Sequence, residues 1–194
     1  SDVCSSDLES PITWALHPDR FGTHCQECLA QVKSVIPCSQ CTAVCFCSVS
    51  CRDTAVATYH KYECEANNIL IASGLNIYPF LTLRLMAKFG LEHVWSLRDL
   101  LEKHDETAGV TTDTQYNHHD FINTFNLVSH EDKLTEEEHL LRTFVSVFLL
   151  KLLQFNNYFG SLSEGELSER EIFIGTLLLY FSNNLPQKIG RAHV

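Results

Sequence analysis

Eight of the nine cysteines in this 194-residue chain fall within forty positions, from Cys25 to Cys64. They run Cys25-x2-Cys28, Cys38-x2-Cys41 and Cys47-x3-Cys51, and the series closes with His60-x3-Cys64. Two intervening residues let a tight turn aim both sulfurs at one ion. Three residues between His60 and Cys64 place an imidazole and a thiol on one face of a helix, one turn apart. Four such pairs are enough for two closed tetrahedral sites, and zinc suits soft thiolates joined by one imidazole. The candidate ligands are therefore Cys25, Cys28, Cys38, Cys41, Cys47, Cys51, His60 and Cys64. Disulfides are the competing reading. The paired spacing, the histidine in register and the cysteine-free segment after Cys64 favour metal. A reducing compartment is then implied, so the expected location is the cytoplasm or nucleus or both.

One thiol in the window is surplus. Cys45 interrupts the rhythm of pairs within "AVCF" and is expected to be a small buried hydrophobe on a short strand beside Phe46. The alternative is a spare thiol able to exchange onto the metal.

The ninth cysteine, Cys4, lies in an unusual terminus. "IGRAHV" at the end can be encoded by a string whose reverse complement reads Asp-Val-Cys-Ser-Ser-Asp, which is residues 2–7. That string resembles a common sequencing-library adapter. Residues 1–8 and 189–194 are accordingly expected to be translated adapter, and Cys4 and His193 are set aside as ligands. The expectation is that the chain is an internal piece of a longer protein.

Composition narrows the partners. A hydrophobic content of 45% is that of a folded chain. A net charge of −10 argues against a phosphate-binding surface. Within 25–64, Lys33, Arg52 and Lys61 balance Glu27, Asp53 and Glu63. Seven thiolates against two Zn²⁺ then leave excess negative charge, a poor start for gripping nucleic acid. The greasiest run, "TFVSVFLLKLLQF", is interrupted by Lys151 and Gln154, so no membrane span is expected.

Together, the order of seven cysteines and one histidine, Phe46 just before Cys47, and the closing "CRDTAVATYHKYEC" resemble the MYND zinc finger. That resemblance implies a cross-braced double finger over residues 25–64. One Zn²⁺ would take Cys25, Cys28, Cys47 and Cys51, and the other Cys38, Cys41, His60 and Cys64. It also implies protein partners, because fingers of this family dock proline-rich segments; a purely bracing role is the other possibility. Val56 stands where the family often carries tryptophan, which implies looser packing on that side. Interleaving ties metal binding to folding, so chelation is expected to unfold the finger as a unit while later helices survive.

Residues 65–188 change character and are expected to be all-helical, making the fold class mostly α with a small zinc-stabilised module. "NIYPFLTLRLMAKFG" predicts a helix after Pro79 that stops at Gly90. "WSLRDLLEKH" predicts a second, with Trp95 and the leucines on one side. "DETAGVTTDTQYNHHD" predicts a loop in which His118 and His119 are solvated. Thr135-Glu136-Glu137-Glu138 and Ser168-Glu169-Arg170-Glu171 are capping boxes. The first opens a helix so widely apolar that it is expected to be central. Its glutamates complement the helix dipole rather than forming an acidic site. No nucleophile–base set, P-loop or dinucleotide glycine motif is present, so no catalytic or cofactor-binding residue is assigned.

A finger followed by an all-helical stretch with "NTFNLVSH" before a long helix resembles the SET and MYND domain-containing proteins, in particular the fourth-member type. The stretch "SPITWALHPDRFGTHC", residues 10–25, resembles the end of the SET amino-terminal part running into the finger, which assigns residues 9–24 to that part. The family fold implies an S-adenosylmethionine-dependent protein-lysine N-methyltransferase as parent and a protein substrate. The family's cofactor segment lies before the finger. Its Asn-His-Ser-Cys motif, catalytic tyrosine and post-SET cysteines lie beyond the helical insertion. None maps here, so the chain alone is expected to be inactive. The alternative is a non-enzymatic adaptor that binds proline-rich peptides.

Overall fold

The structure, a computed structural model, describes residues 11–102, 121, 125, 134–160 and 165–188. Both expected adapter ends, the polar stretch with His118 and His119, and all of "NTFNLVSH" except Phe125 lie outside the described residues.

An extended segment and a 3-10 turn, Pro18–Arg20, lead into the cysteine-rich part. Two short strands, β1 (Ile36–Pro37) and β2 (Cys45–Phe46), pair antiparallel, with Ile36 opposite Phe46 and Pro37 opposite Cys45. The expected strand at Cys45 is present. Its thiol is buried and donates to the Phe21 carbonyl at 3.2 Å, so it packs as a small hydrophobe. Helix α1 (Val49–Ala55) is capped by Ser48, whose Oγ accepts from the Cys51 N–H at 3.1 Å. The chain then widens into a π-helical turn, Val56–His60, before α2 (Lys61–Glu63) and α3 (Ala66–Ala72). A regular helix through His60 and Cys64 was the simpler expectation; the wide turn instead buries Tyr59 and His60 side by side.

Helix α4 (Ile77–Phe89) begins two residues before Pro79, capped by Asn76, whose side chain accepts from the Tyr78 N–H. Pro79 sits in the first turn, where its missing N–H leaves no hydrogen bond unmade. Gly90 ends the helix at φ 76°, as the sequence predicts. The single helix expected from "WSLRDLLEKH" is instead two: α5 (Leu91–Ser96) and α6 (Arg98–Glu102), broken at Leu97. Leu101 lies in the core and Leu100 in solvent, so the leucines do not share a face.

Two long helices complete the described chain, α7 (Glu136–Phe155) and α8 (Glu169–Lys188). Both capping boxes form. Thr135 Oγ1 accepts from the Glu138 N–H at 3.2 Å while Glu138 accepts from the Thr135 N–H at 2.9 Å. Ser168 and Glu171 repeat the exchange at 3.3 and 2.7 Å. Replacing Thr135 by alanine is expected to cost about 1 kcal/mol, with serine restoring it, as read by thermal unfolding.

Helices α7 and α8 pack most extensively on each other, and α4 lies against both. Leu149, Leu153, Ile174, Leu178 and Phe181 are fully buried there, with Leu83 and Met86 from α4. Pro186 lies inside α8 and removes the donor that the Ser182 carbonyl would otherwise meet. Arg142 from α7 supplies it, with Nη1 donating to the carbonyls of Ser182 (3.3 Å) and Asn183. The expectation of a central α7 is corrected. Leu140, Phe144, Val147 and Phe155 form an exposed stripe on its far side, with Phe144 65% exposed. An apolar sequence specifies faces that can be buried; which one is covered depends on the neighbours.

Candidate metal centres

The finger brings its eight candidate ligands into two groups. Cys25, Cys28, Cys47 and Cys51 form one; Cys38, Cys41, His60 and Cys64 form the other, and within each the ligand atoms lie within 4.8 Å of one another. Both groups take one pair from before β2 and one from after it, so the chain cross-braces. Among the described residues these are the two clusters of metal-ligand type, and Glu136, Glu137 and Glu138 are in neither.

Local structure explains the aim of each pair. The Cys25–Cys28 turn closes through Leu29 N–H to the Cys25 carbonyl and Cys25 N–H to the Ala30 carbonyl, both 2.9 Å. Leu29 adopts φ 63° to make that closure. The second turn points the Gln40 N–H at Cys38 Sγ, 3.4 Å away. Cys47 precedes the α1 cap and Cys51 sits in the first turn, which holds their sulfurs 3.6 Å apart.

The spacing suits zinc. A tetrahedron with Zn–S of about 2.3 Å and Zn–N of about 2.0 Å has edges of about 3.5–3.8 Å. Cys28 and Cys47 sulfurs are 3.5 Å apart, Cys38 and Cys64 sulfurs 3.8 Å, and Cys41 Sγ lies 3.5 Å from His60 Nε2. All eight described cysteines are free thiols.

Protonation points the same way. Burial, with Arg84 behind it, pushes the His60 pKa down to about 4, so at neutral pH the ring is an uncharged donor. Burial opposes ionisation of Cys25, yet backbone N–H groups of Cys28, Cys47 and Glu27 bring its thiol down to about 7. Crowding acts in reverse on Cys47, which hydrogen bonds to Cys28, Cys51 and Cys25 hold up to about 12. Burial and then the neighbouring Cys41 raise Cys64. Four groups this close resist ionising together, and a dication removes that penalty.

Behind the second centre lies a polar network that sequence reasoning did not find. Glu63, beside Cys64, is buried against Arg84 of α4. Arg84 Nε meets Glu63 Oε1 at 2.6 Å and Nη2 meets Oε2 at 2.8 Å. The same guanidinium donates to Gln26 Oε1 and to the Trp14 carbonyl, each at 3.2 Å, and lies 3.7 Å from the centre of the Tyr59 ring. Burial pushes the Glu63 carboxyl up, and Arg84 offsets only part of that rise. Lys88, one turn further along α4, lies over the Trp14 ring and donates to the Ile12 carbonyl at 2.7 Å. Finger, leading segment and helical layer are thus tied at one point. The charge count over 25–64 gave no sign that Glu63 is buried with a partner outside the finger. The one signal in the sequence was Arg84 inside the apolar run "FLTLRLMA".

With the geometry in place, the class is clear: residues 25–64 match the MYND finger family. The chain carries a MYND zinc finger, a module of two Zn²⁺, and is related to SET and MYND domain proteins. Protein-lysine N-methyltransferase SMYD4 from Gallus gallus is 25% identical over 182 residues, covering 82% of this chain and 24% of that protein. The Danio rerio protein of the same name is 35% identical over 79 residues, 39% of this chain and 10% of that protein. The Homo sapiens one is 31% identical over 81 residues, with coverage of 42% and 10%. The chain therefore spans a quarter or less of the length of these curated relatives. Among the described residues, no helix is long and apolar enough to cross a membrane.

Proposed function

We propose that this chain supplies the zinc-braced scaffold of a SET and MYND domain protein-lysine N-methyltransferase. The observation that carries this is the extent of the likeness. The finger occupies 40 of 194 residues, whereas similarity to the Gallus gallus relative takes in 82% of the chain. The helical layer shares in it, which a finger alone would not require. In this reading Cys25, Cys28, Cys47 and Cys51 hold one Zn²⁺, and Cys38, Cys41, His60 and Cys64 hold the other.

The scaffold works in the cytoplasm and/or nucleus and presents a protein substrate or a proline-rich partner to the rest of the enzyme. S-adenosylmethionine and the catalytic residues belong to other parts of the parent, and no residue described above has a role in methyl transfer. The test has two arms. The parent transcript is expected to encode Asn-His-Ser-Cys downstream of Lys188, and its product to transfer labelled methyl groups to protein lysine. The isolated chain is expected to transfer none. Turnover by the isolated chain, or a complete transcript without that motif, would overturn the proposal, the latter in favour of an adaptor.

A further inference from the structure

The two centres are unequally sheltered. Cys38, Cys41, His60 and Cys64 are all buried, none more than 7% exposed, and Phe46 packs edge-on against the His60 ring. In the other group only Cys25 is buried; Cys51 is half-buried, and Cys28 and Cys47 are exposed. Those two exposed cysteines stand nineteen residues apart in the chain, and their sulfurs lie 3.5 Å from each other. Zinc-bound thiolates remain nucleophiles, and their reaction with a solute is governed by access.

We propose that Cys28 and Cys47 form an oxidant-sensitive pair, through which a hydroperoxide releases the zinc of the exposed centre and leaves the buried centre loaded. The inference rests on the ligand assignment above and adds a regulation of the same site. The Cys28 thiolate attacks a peroxide oxygen; an S–O bond forms, the O–O bond breaks, and the departing oxygen leaves as water after taking a proton. The Cys47 thiolate then attacks the sulfenic sulfur; an S–S bond forms, the S–O bond breaks, and the hydroxide leaves as water with a second proton. Two thiolates lose two electrons, and one hydrogen peroxide becomes two waters. Cys25 and Cys51 remain, two ligands where a closed zinc site needs four. The new disulfide replaces the ion as the link between the first turn and the start of α1. The second centre stays anchored through Glu63 and Arg84.

The test uses the whole zinc-loaded chain. Native mass spectrometry first counts the metal, and two zinc ions are expected. Hydrogen peroxide is then added while zinc release is followed with a colorimetric chelator and disulfides are mapped by peptide mass. The expected result is loss of one of the two ions, with a Cys28–Cys47 disulfide and with Cys38, Cys41 and Cys64 still reduced. Independently, a thiol-alkylating reagent should label Cys28 and Cys47 first. Release of both ions together, release of none, or a disulfide among Cys38, Cys41 and Cys64 would overturn the proposal. A chain that lacks two zinc ions before oxidant is added would instead refute the ligand assignment.

Discussion

Replacing Arg84 by alanine is expected to destabilise the protein by about 3–5 kcal/mol, because it strands the Glu63 carboxylate without a partner. Glu63 and Arg84 side chains are 2% and 5% exposed, so the carboxylate is shielded from bulk solvent and depends on the guanidinium for its hydrogen bonds. Several acceptors lose their donor together: both Glu63 oxygens, Gln26 Oε1 and the Trp14 carbonyl all point at Arg84. The Tyr59 ring loses its stacked cation as well. Denaturant unfolding measures the effect, and amide exchange should show α2, α4 and residues 12–16 opening together. Removing both charges at once, with Glu63→Gln and Arg84→Met, is expected to recover a large part of the loss, since an uncompensated buried charge is the main cost. An Arg84→Ala protein within about 1 kcal/mol of the parent, a surface-pair value, would show that the network is not what joins finger to helices.

The second large effect belongs to the buried centre. Cys64→Ser is expected to abolish zinc binding there and to unfold residues 25–64. Apparent binding energies of about 10–16 kcal/mol per structural zinc exceed or match the total stability of a small domain, so the finger has no other source to draw on. Cys64 also ends the segment that carries Glu63, so its loss frees one half of the Arg84 anchor. Native mass spectrometry and amide exchange check this: no bound zinc, no protection through the finger, and protection retained at the α7–α8 contact. A variant that keeps two zinc ions and native exchange in 25–64 would contradict the assignment of Cys64. Cys28→Ser, at the exposed centre, is expected to be milder. The contrast departs from the single-unit unfolding that interleaving alone implies, and the zinc counts of the two variants decide between them. Cross-bracing makes the centres mutually dependent in forming, but burial makes them unequal once formed.

Helix starts were legible in the chain, since a cap acts over three residues: Thr135 with Glu138 and Ser168 with Glu171 form as their spacing requires. Legibility fell where distant parts meet. The break at Leu97 and the wide turn at Val56–His60 depend on what the flanking residues pack against, and neither carries a Gly or Pro to announce it. The exposed stripe on α7 is the clearest instance. Leu140 and Leu149 are equally apolar in the sequence, yet one is 59% exposed and the other fully buried against its neighbours.

The sequence by itself determined the candidate ligand types, their close spacing in pairs along the chain and the helical character of the chain after Cys64, because turns, caps and ligand spacings are settled within a few residues of chain. Only the tertiary structure decided which sulfurs water reaches, which face of α7 is covered, and that Arg84 meets Glu63 from twenty-one residues away. Burial is a property of packed surfaces, and those surfaces come together only when remote segments do.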